Sequence, residues 1–382
     1  MLYYLAPFLT QLWGPFRLLG SYLVLMGVGA LLAAFLTGLL LPKMWNRLPR
    51  DRGRQHAQNA QAAKGKPTGA GVFNVLLLLP VVALVLPLSL RLGCVLGCLI
   101  LAMLTGWLDD RSANPWGDYF KGTLDLGVAF LASLAVCQGH PVAFWVPLVK
   151  GELLVPLWVF LPLGTLLLWM TINATNCSDG VDGLAGTLTL LSLFYLAGFL
   201  YVVVGHKEMA AYLLVKHNPE GARWALLLFT TAGGLAGYLW HNAEPSKVLM
   251  GDAGSRFLGL LVGTAALAAG NPFLILVVAP VVLVNGGTGI VKIALLRLFR
   301  LLGFDVRTPL ALAEARKAAA ANGGPHPDEQ HAVVRLLHTV RFPLHDHCRK
   351  TLGWSNQQVL LRFFIIQAFL TPILFGFLVK VR

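Results

Sequence analysis

The chain has 382 residues, 57% of them hydrophobic and 12% charged, and its mean hydropathy is +0.70. These values exclude a water-soluble globular domain and describe a polytopic membrane protein. The formal charge of +13 invites a nucleic-acid reading. However, the Lys and Arg residues sit mainly in loops beside apolar runs, the pattern of membrane topology, so the lipid bilayer replaces nucleic acid as the expected partner.

The first charge is Arg17, and the apolar run after it is long enough to remain as a span, so no cleaved signal peptide is read. Residues 1–17 are expected to form an interfacial segment. Apolar stretches then fall at roughly 18–42, 71–90, 92–108, 122–138, 153–172, 184–204, 224–240, 255–270, 272–299 and 359–379. At about 20 residues per crossing they amount to about ten transmembrane helices in one all-α domain spanning 1–382.

Between the first two spans, loop 43–66 carries Lys43, Arg47, Arg50, Arg52, Arg54, Lys64 and Lys66, and it should be cytoplasmic. The turn G-K-P-T-G-A-G at 65–71 lacks the order of a Walker A loop, but its lysines can still touch a phosphate. Only Ser89–Leu92 separate the second and third spans, which makes them antiparallel neighbours. The third span ends in W-L-D-D-R-S at 107–112, with adjacent Asp109 and Asp110. Neighbouring carboxylates repel unless they share a cation or proton. Mg²⁺ near phosphates uses one or two such groups; the competing reading is a solvated helix end paired to Arg111. Lys121 and Asp125, four apart, can pair along a helix.

The stretch N-A-T-N-C-S-D-G-V-D-G-L-A-G at 173–186 sets two amides and two acids between long apolar runs. If one helix includes both Asp179 and Asp182 they share a face, with Gly180 and Gly183 leaving the backbone open. Helix capping alone would not require all four polar groups. H-N-A-E-P at 241–245 contributes Asn242, and V-L-M-G-D-A-G-S-R at 248–256 sets Asp252 between two glycines, a turn suited to metal or phosphate. N-G-G-T-G at 285–289 predicts a break in the ninth span. The basic loop 300–358 contains an inserted segment, and F-P-L-H-D-H-C-R-K at 342–350 places His345 and His347 around Asp346, a spacing poorly suited to zinc. Cys94, Cys98, Cys137, Cys177 and Cys348 form no framework and read as free thiols, mostly in the core. Span parity brings every polar cluster to one cytoplasmic face and puts both termini outside.

Taken in order, the D-D pair, N-x-x-N-x-x-D-G-x-D-G-L-A, M-G-D-x-G-S, the G-K-P-T turn and P-L-H-D-H resemble the polyprenyl-phosphate N-acetylhexosamine-1-phosphate transferases over nearly the whole chain. Within them the pattern is most similar to the enzymes that transfer phospho-MurNAc-pentapeptide. The resemblance implies Mg²⁺-dependent transfer from UDP-MurNAc-pentapeptide to undecaprenyl phosphate, giving lipid I and UMP, at the bacterial cytoplasmic (inner) membrane. By resemblance Asp252 binds Mg²⁺, and Asp109 and Asp110 act on the lipid phosphate. Asn176, Asp179, Asp182 and Asn242 line the nucleotide site, completed by His345, Lys121 and a lysine at 64 or 66.

Three departures from the family pattern bear on substrate affinity. His345-Asp346-His347 stands where three histidines are usual, Leu249 replaces an aromatic that would stack on uracil, and the 65–71 turn is altered. Leu249 and His347 are therefore counted among the substrate-contacting positions. The residues leave open a covalent intermediate on Asp252 or direct attack helped by Asp109, and a homodimer is admitted without being decided. Within the class the alternative is a UDP-GlcNAc:undecaprenyl-phosphate GlcNAc-1-phosphate transferase. Outside it the alternative is a membrane transporter, whose acids would line a path rather than gather at one surface.

Overall fold

A computed structural model describes residues 1–51, 64–114, 116–147, 151–322 and 330–380. Arg52 and Arg54 of the basic first loop and residues 323–329 of the inserted segment lie outside the described residues. The long helices are α2 (Tyr22–Met44), α3 (Gly71–Val85), α4 (Leu90–Arg111), α5 (Asp118–Cys137), α6 (Leu157–Ser178) and α7 (Leu184–Gly198). They continue with α9 (Gly221–Asn242), α10 (Gly251–Ala268), α12 (Thr288–Leu301) and α16 (Asn356–Lys380). Short helices fill the connections: α1 (Leu2–Leu12), α8 (Lys207–Tyr212), α11 (Leu274–Val278), α13 (Pro309–Asn322), α14 (Ala332–Thr339) and α15 (Leu344–Lys350).

The all-α expectation holds except for one antiparallel hairpin, β1 (Val142–Phe144) in a connection read from sequence as loop with β2 (Leu153–Val155) at the start of the span expected at 153–172. Its anchor is Trp145, fully buried, whose backbone N–H and Nε1 donate to the carbonyls of Gly270 and Ala269, both at 2.9 Å.

Among the described residues seven helices are long and apolar enough to cross a membrane, which makes this a multi-pass membrane protein. Large apolar side chains point outward from them, such as Leu31, Phe35, Trp158, Phe369 and Phe377. The expected spans at 71–90, 224–240 and 255–270 contain helices but fall outside that set of seven, the first because α3 runs for only 15 residues. For α10 the reason is its position: every residue from Asp252 to Leu267 is buried, so it meets protein on all sides and needs small residues for close packing rather than a lipophilic surface. α4, α6, α3 and α7 surround it.

The expected break in the ninth span is present. After α11 the chain passes through a π-helical turn over Leu283–Gly287 before α12, and Gly286 lies so close to the Ala174 backbone that a Cβ would collide with its carbonyl. α3 and α4 are antiparallel neighbours as expected, with Ser89 Oγ accepting from Leu92 N at the start of α4.

Hydrogen bonds gather the loops into two ends. At one end the Met1 amine donates to Ala83 and Leu84 at the end of α3, and Asn218 reaches Ala268 at the end of α10. At the other end lie the loops that carry the polar motifs. The five cysteines are free thiols, but only Cys137 and Cys348 are buried, and Cys94 is exposed, so the expected core placement holds for two.

Candidate active site

Asp110 is turned toward the backbone of another helix. Its two carboxylate oxygens accept from the backbone N–H groups of Asp252 and Ala253, each at 3.0 Å. These are first-turn donors of α10, which have no partner inside the helix, and a carboxylate there also meets the positive end of the helix dipole. Asp110 is thus a cap supplied by α4 to α10. Glycines make the approach possible: Gly251 has φ +73°, and a Cβ on it would run into the Asp110 carboxylate and the Gly69 backbone. The turn 65–71 is laced to the same place, with Leu249 N donating to Pro67 O at 2.8 Å and Ala70 N to Leu249 O at 3.1 Å. Two of the departures noted in sequence, Leu249 and this turn, are therefore one contact.

Asp252 and Asp109 are brought together around two cations. Lys121 Nζ is 2.5 Å from Asp109 Oδ2 and 3.5 Å from Asp252 Oδ2. Arg256, one helical turn beyond Asp252, places Nη2 at 3.0 Å from Asp252 and 3.4 Å from Asp109, while its Nη1 meets Asp125 at 3.1 Å. The expected Lys121–Asp125 helix pair is not formed; each takes a partner from another element. Asp109 Oδ1 also accepts from Trp116 N at 3.2 Å.

Arg256 was not singled out from sequence. The available signal was its spacing, i to i+4 from an acid in an otherwise apolar span, where a charge must have a use.

The 173–186 stretch is not one helix. α6 ends at Ser178, Asp179 occupies its C-cap position, and α7 starts at Leu184 after Gly183 at φ +75°. The two acids therefore lie on a turn rather than on a shared helical face. Asp182 accepts from Ser246 N at 3.0 Å and pairs with Lys66 at 3.6 Å, while Lys66 also donates to Ser246 Oγ at 2.9 Å. Lys64 is exposed two residues away. Asn176 donates to Ser255 Oγ at 3.0 Å, on the helix of Asp252. Asn242 is 5% exposed and commits its side chain to the backbone, accepting from Gly183 N at 2.9 Å and donating to Val248 O at 2.8 Å.

His345 is buried beneath this turn, with Nε2 against Gly180, where a Cβ would collide with the ring. Its backbone N donates to Asn285 Oδ1 at 2.8 Å and its Nδ1 lies 3.1 Å from the same oxygen, which assigns the Nδ1–H tautomer and leaves Nε2 as an acceptor. Burial pushes its pKa down to about 4; Asp346 opposes this, and Arg349 and Lys350 add to it. The ring is therefore neutral at pH 7. His347 does not join it, since its Nδ1 accepts from Arg341 N at 3.4 Å. Asn285 and Ser246 are the other polar groups that sequence reasoning passed over.

Among the described residues no three His, Cys, Asp or Glu side chains converge to hold an ion by themselves. The charge of the cluster nevertheless suits one. Among the groups that face one another, Asp109, Asp125 and Asp252 against Lys121 and Arg256 leave one negative charge. Mg²⁺ takes only one or two protein carboxylates, the rest of its shell coming from water and substrate.

Residues 92–270, which carry most of this acidic cluster, match Glycosyl transferase family 4. The chain is 44% identical over 380 residues to the phospho-N-acetylmuramoyl-pentapeptide-transferase of Treponema pallidum subsp. pallidum, covering 98% of this chain and 95% of that one. It is 27% identical over 357 residues to the Helicobacter pylori protein of the same name, covering 89% and 90%. The chain belongs to the phospho-N-acetylmuramoyl-pentapeptide-transferase family.

Proposed function

We propose that the chain transfers phospho-MurNAc-pentapeptide from its UDP carrier to undecaprenyl phosphate, forming lipid I and UMP in peptidoglycan synthesis. A phosphate oxygen of the lipid bonds to the sugar-linked phosphorus, and the pyrophosphate bond to UMP breaks. The observation that carries this reading is the convergence of Asp109, Asp252, Lys121 and Lys66 at one end of an apolar bundle, where a lipidic and a soluble phosphate can meet.

Asp252 and Asp109 would hold Mg²⁺, which when bound offsets the charge of the pyrophosphate. Lys121, bridging both acids, is placed to follow phosphate charge as it shifts toward UMP. Asp109 is the acid for the lipid phosphate. Asp110, spent on the α10 backbone, acts by positioning Asp252 rather than by touching substrate. Asp179, Asp182, Lys66 and Asn176 border the nucleotide. His345, neutral, offers Nε2 under the Asp179–Gly183 turn.

The site faces the cytoplasm of a bacterial inner membrane, with about ten crossings and both termini outside. Lys43, Arg47, Arg50, Lys64 and Lys66 on the site side support that orientation.

The test is radiolabel transfer by the purified chain into extractable lipid, with UDP-MurNAc-pentapeptide and UDP-GlcNAc in parallel. Lipid label from the first substrate is expected. Label from UDP-GlcNAc alone would move the chain to the GlcNAc-1-phosphate alternative, and no lipid label from either would remove the transferase reading.

A further inference from the structure

The proposed site accounts for Asp109 and Asp252 but leaves Arg256 and Asp125 without a role. Arg256 is 2% exposed, and its two terminal nitrogens touch three acids from three helices: Asp109 of α4, Asp125 of α5 and Asp252 of its own α10. Its Nε has no hydrogen-bond partner among the described residues, so its polar contacts are with these acids alone. A buried guanidinium is costly unless carboxylates surround it, and the carboxylates are equally costly without it. This is more than a local pair, since it lowers the excess negative charge of the cluster by one unit.

We propose that Arg256 is a resident counter-cation that matches this site to a single divalent ion. It holds the three acids together in the metal-free protein and sets how strongly the cluster draws a second positive group. Asp125, 3% exposed and paired to Arg256 rather than to Lys121, is the acid that keeps the guanidinium in place. The inference rests on the reading that Asp252 binds a divalent cation, and it deepens that reading by naming what limits the charge there.

The experiment uses Mn²⁺ as the probe, titrated into the purified full-length chain in detergent while free Mn²⁺ is followed by electron paramagnetic resonance. The wild type should bind one ion per chain. Arg256→Gln, which removes one positive charge a few ångströms from the acids, should bind Mn²⁺ at least about tenfold more tightly or take a second ion. Its thermal midpoint in EDTA should fall and recover with Mn²⁺ by more than that of the wild type. Arg256→Lys, which keeps the charge, should stay near wild-type affinity. Asp125→Asn provides the opposite sign without touching the proposed ligands, and should weaken Mn²⁺ by about tenfold, which keeps the inference testable if Arg256→Gln does not fold.

Equal or weaker binding by Arg256→Gln, or unchanged binding by Asp125→Asn, beside a wild type that binds one ion would overturn this inference alone. Absence of Mn²⁺ binding by the wild type, or full binding by Asp252→Asn, would instead remove the metal reading.

Discussion

Asn242 shows how a polar residue in a functional cluster can belong to the frame. Both ends of its amide are used on backbone, joining the turn before α7 to the segment before α10. Asn242→Ala leaves Gly183 N and Val248 O without those partners and should cost about 1–3 kcal/mol, read as a lower thermal midpoint in detergent. An unchanged midpoint would return Asn242 to the substrate. His345 makes a pH prediction. Its folded pKa of about 4 lies below the 6.5 of an unperturbed histidine, so the fold favours the neutral ring. That contribution is complete above pH 6.5 and is lost as pH falls toward 4, because the unfolded chain then takes up a proton that the folded one refuses. The difference amounts to about 3 kcal/mol by pH 4. Wild type should therefore lose more thermal stability than His345→Gln between pH 6.5 and 4, and parallel profiles would place the titration elsewhere.

At the scale of elements, the position of Asp252 depends on backbone contacts that only glycine permits. Gly106 of α4 lies against the carbonyl of Asp252 and the nitrogen of Ala253, and Gly71 at the start of α3 lies against Gly254. A methyl group at either point has only backbone to meet. Gly106→Ala should push the first turn of α10 off the Asp110 carboxylate, lowering transferase activity severely and stability by about 1–3 kcal/mol. Activity and thermal midpoint measured on the same preparation check this. Full activity would mean that α4 and α10 tolerate separation and that the cap is not what places Asp252. The π-helical turn before α12 has the same character, since Gly286 allows α6 to pack against it beside Asn285, the partner of His345.

For the whole molecule, the two ends differ in kind. The site end holds the cluster of acids around Lys121 and the buried Arg256, and the other end is closed by the Met1 amine, Trp145 and the β1–β2 hairpin. On the proposed orientation, a cysteine at Glu314 in a background without native thiols should be spared by an impermeant reagent on sealed spheroplasts. One at Lys207, exposed at the start of α8, should be labelled. Labelling of Glu314 in sealed cells reverses the orientation and separates the site from a cytoplasmic UDP-sugar.

The sequence alone determined the membrane class, the clustering of acids at loop ends and the family, because hydropathy and short polar motifs are local properties that survive without coordinates. Asp109, Asp252, Lys121, Asp182 and His345 were legible as polar groups that an apolar chain must put to use. Their partners were not. Asp110 as a cap for another helix, Lys121 leaving Asp125 for Asp109, Asp182 with Lys66 and Ser246, and Arg256 among three acids are all pairings between separate elements of the chain. Such pairings are chosen by which helices pack, and packing here is decided by glycine contacts and by the burial of α10, which no periodicity in a single segment encodes.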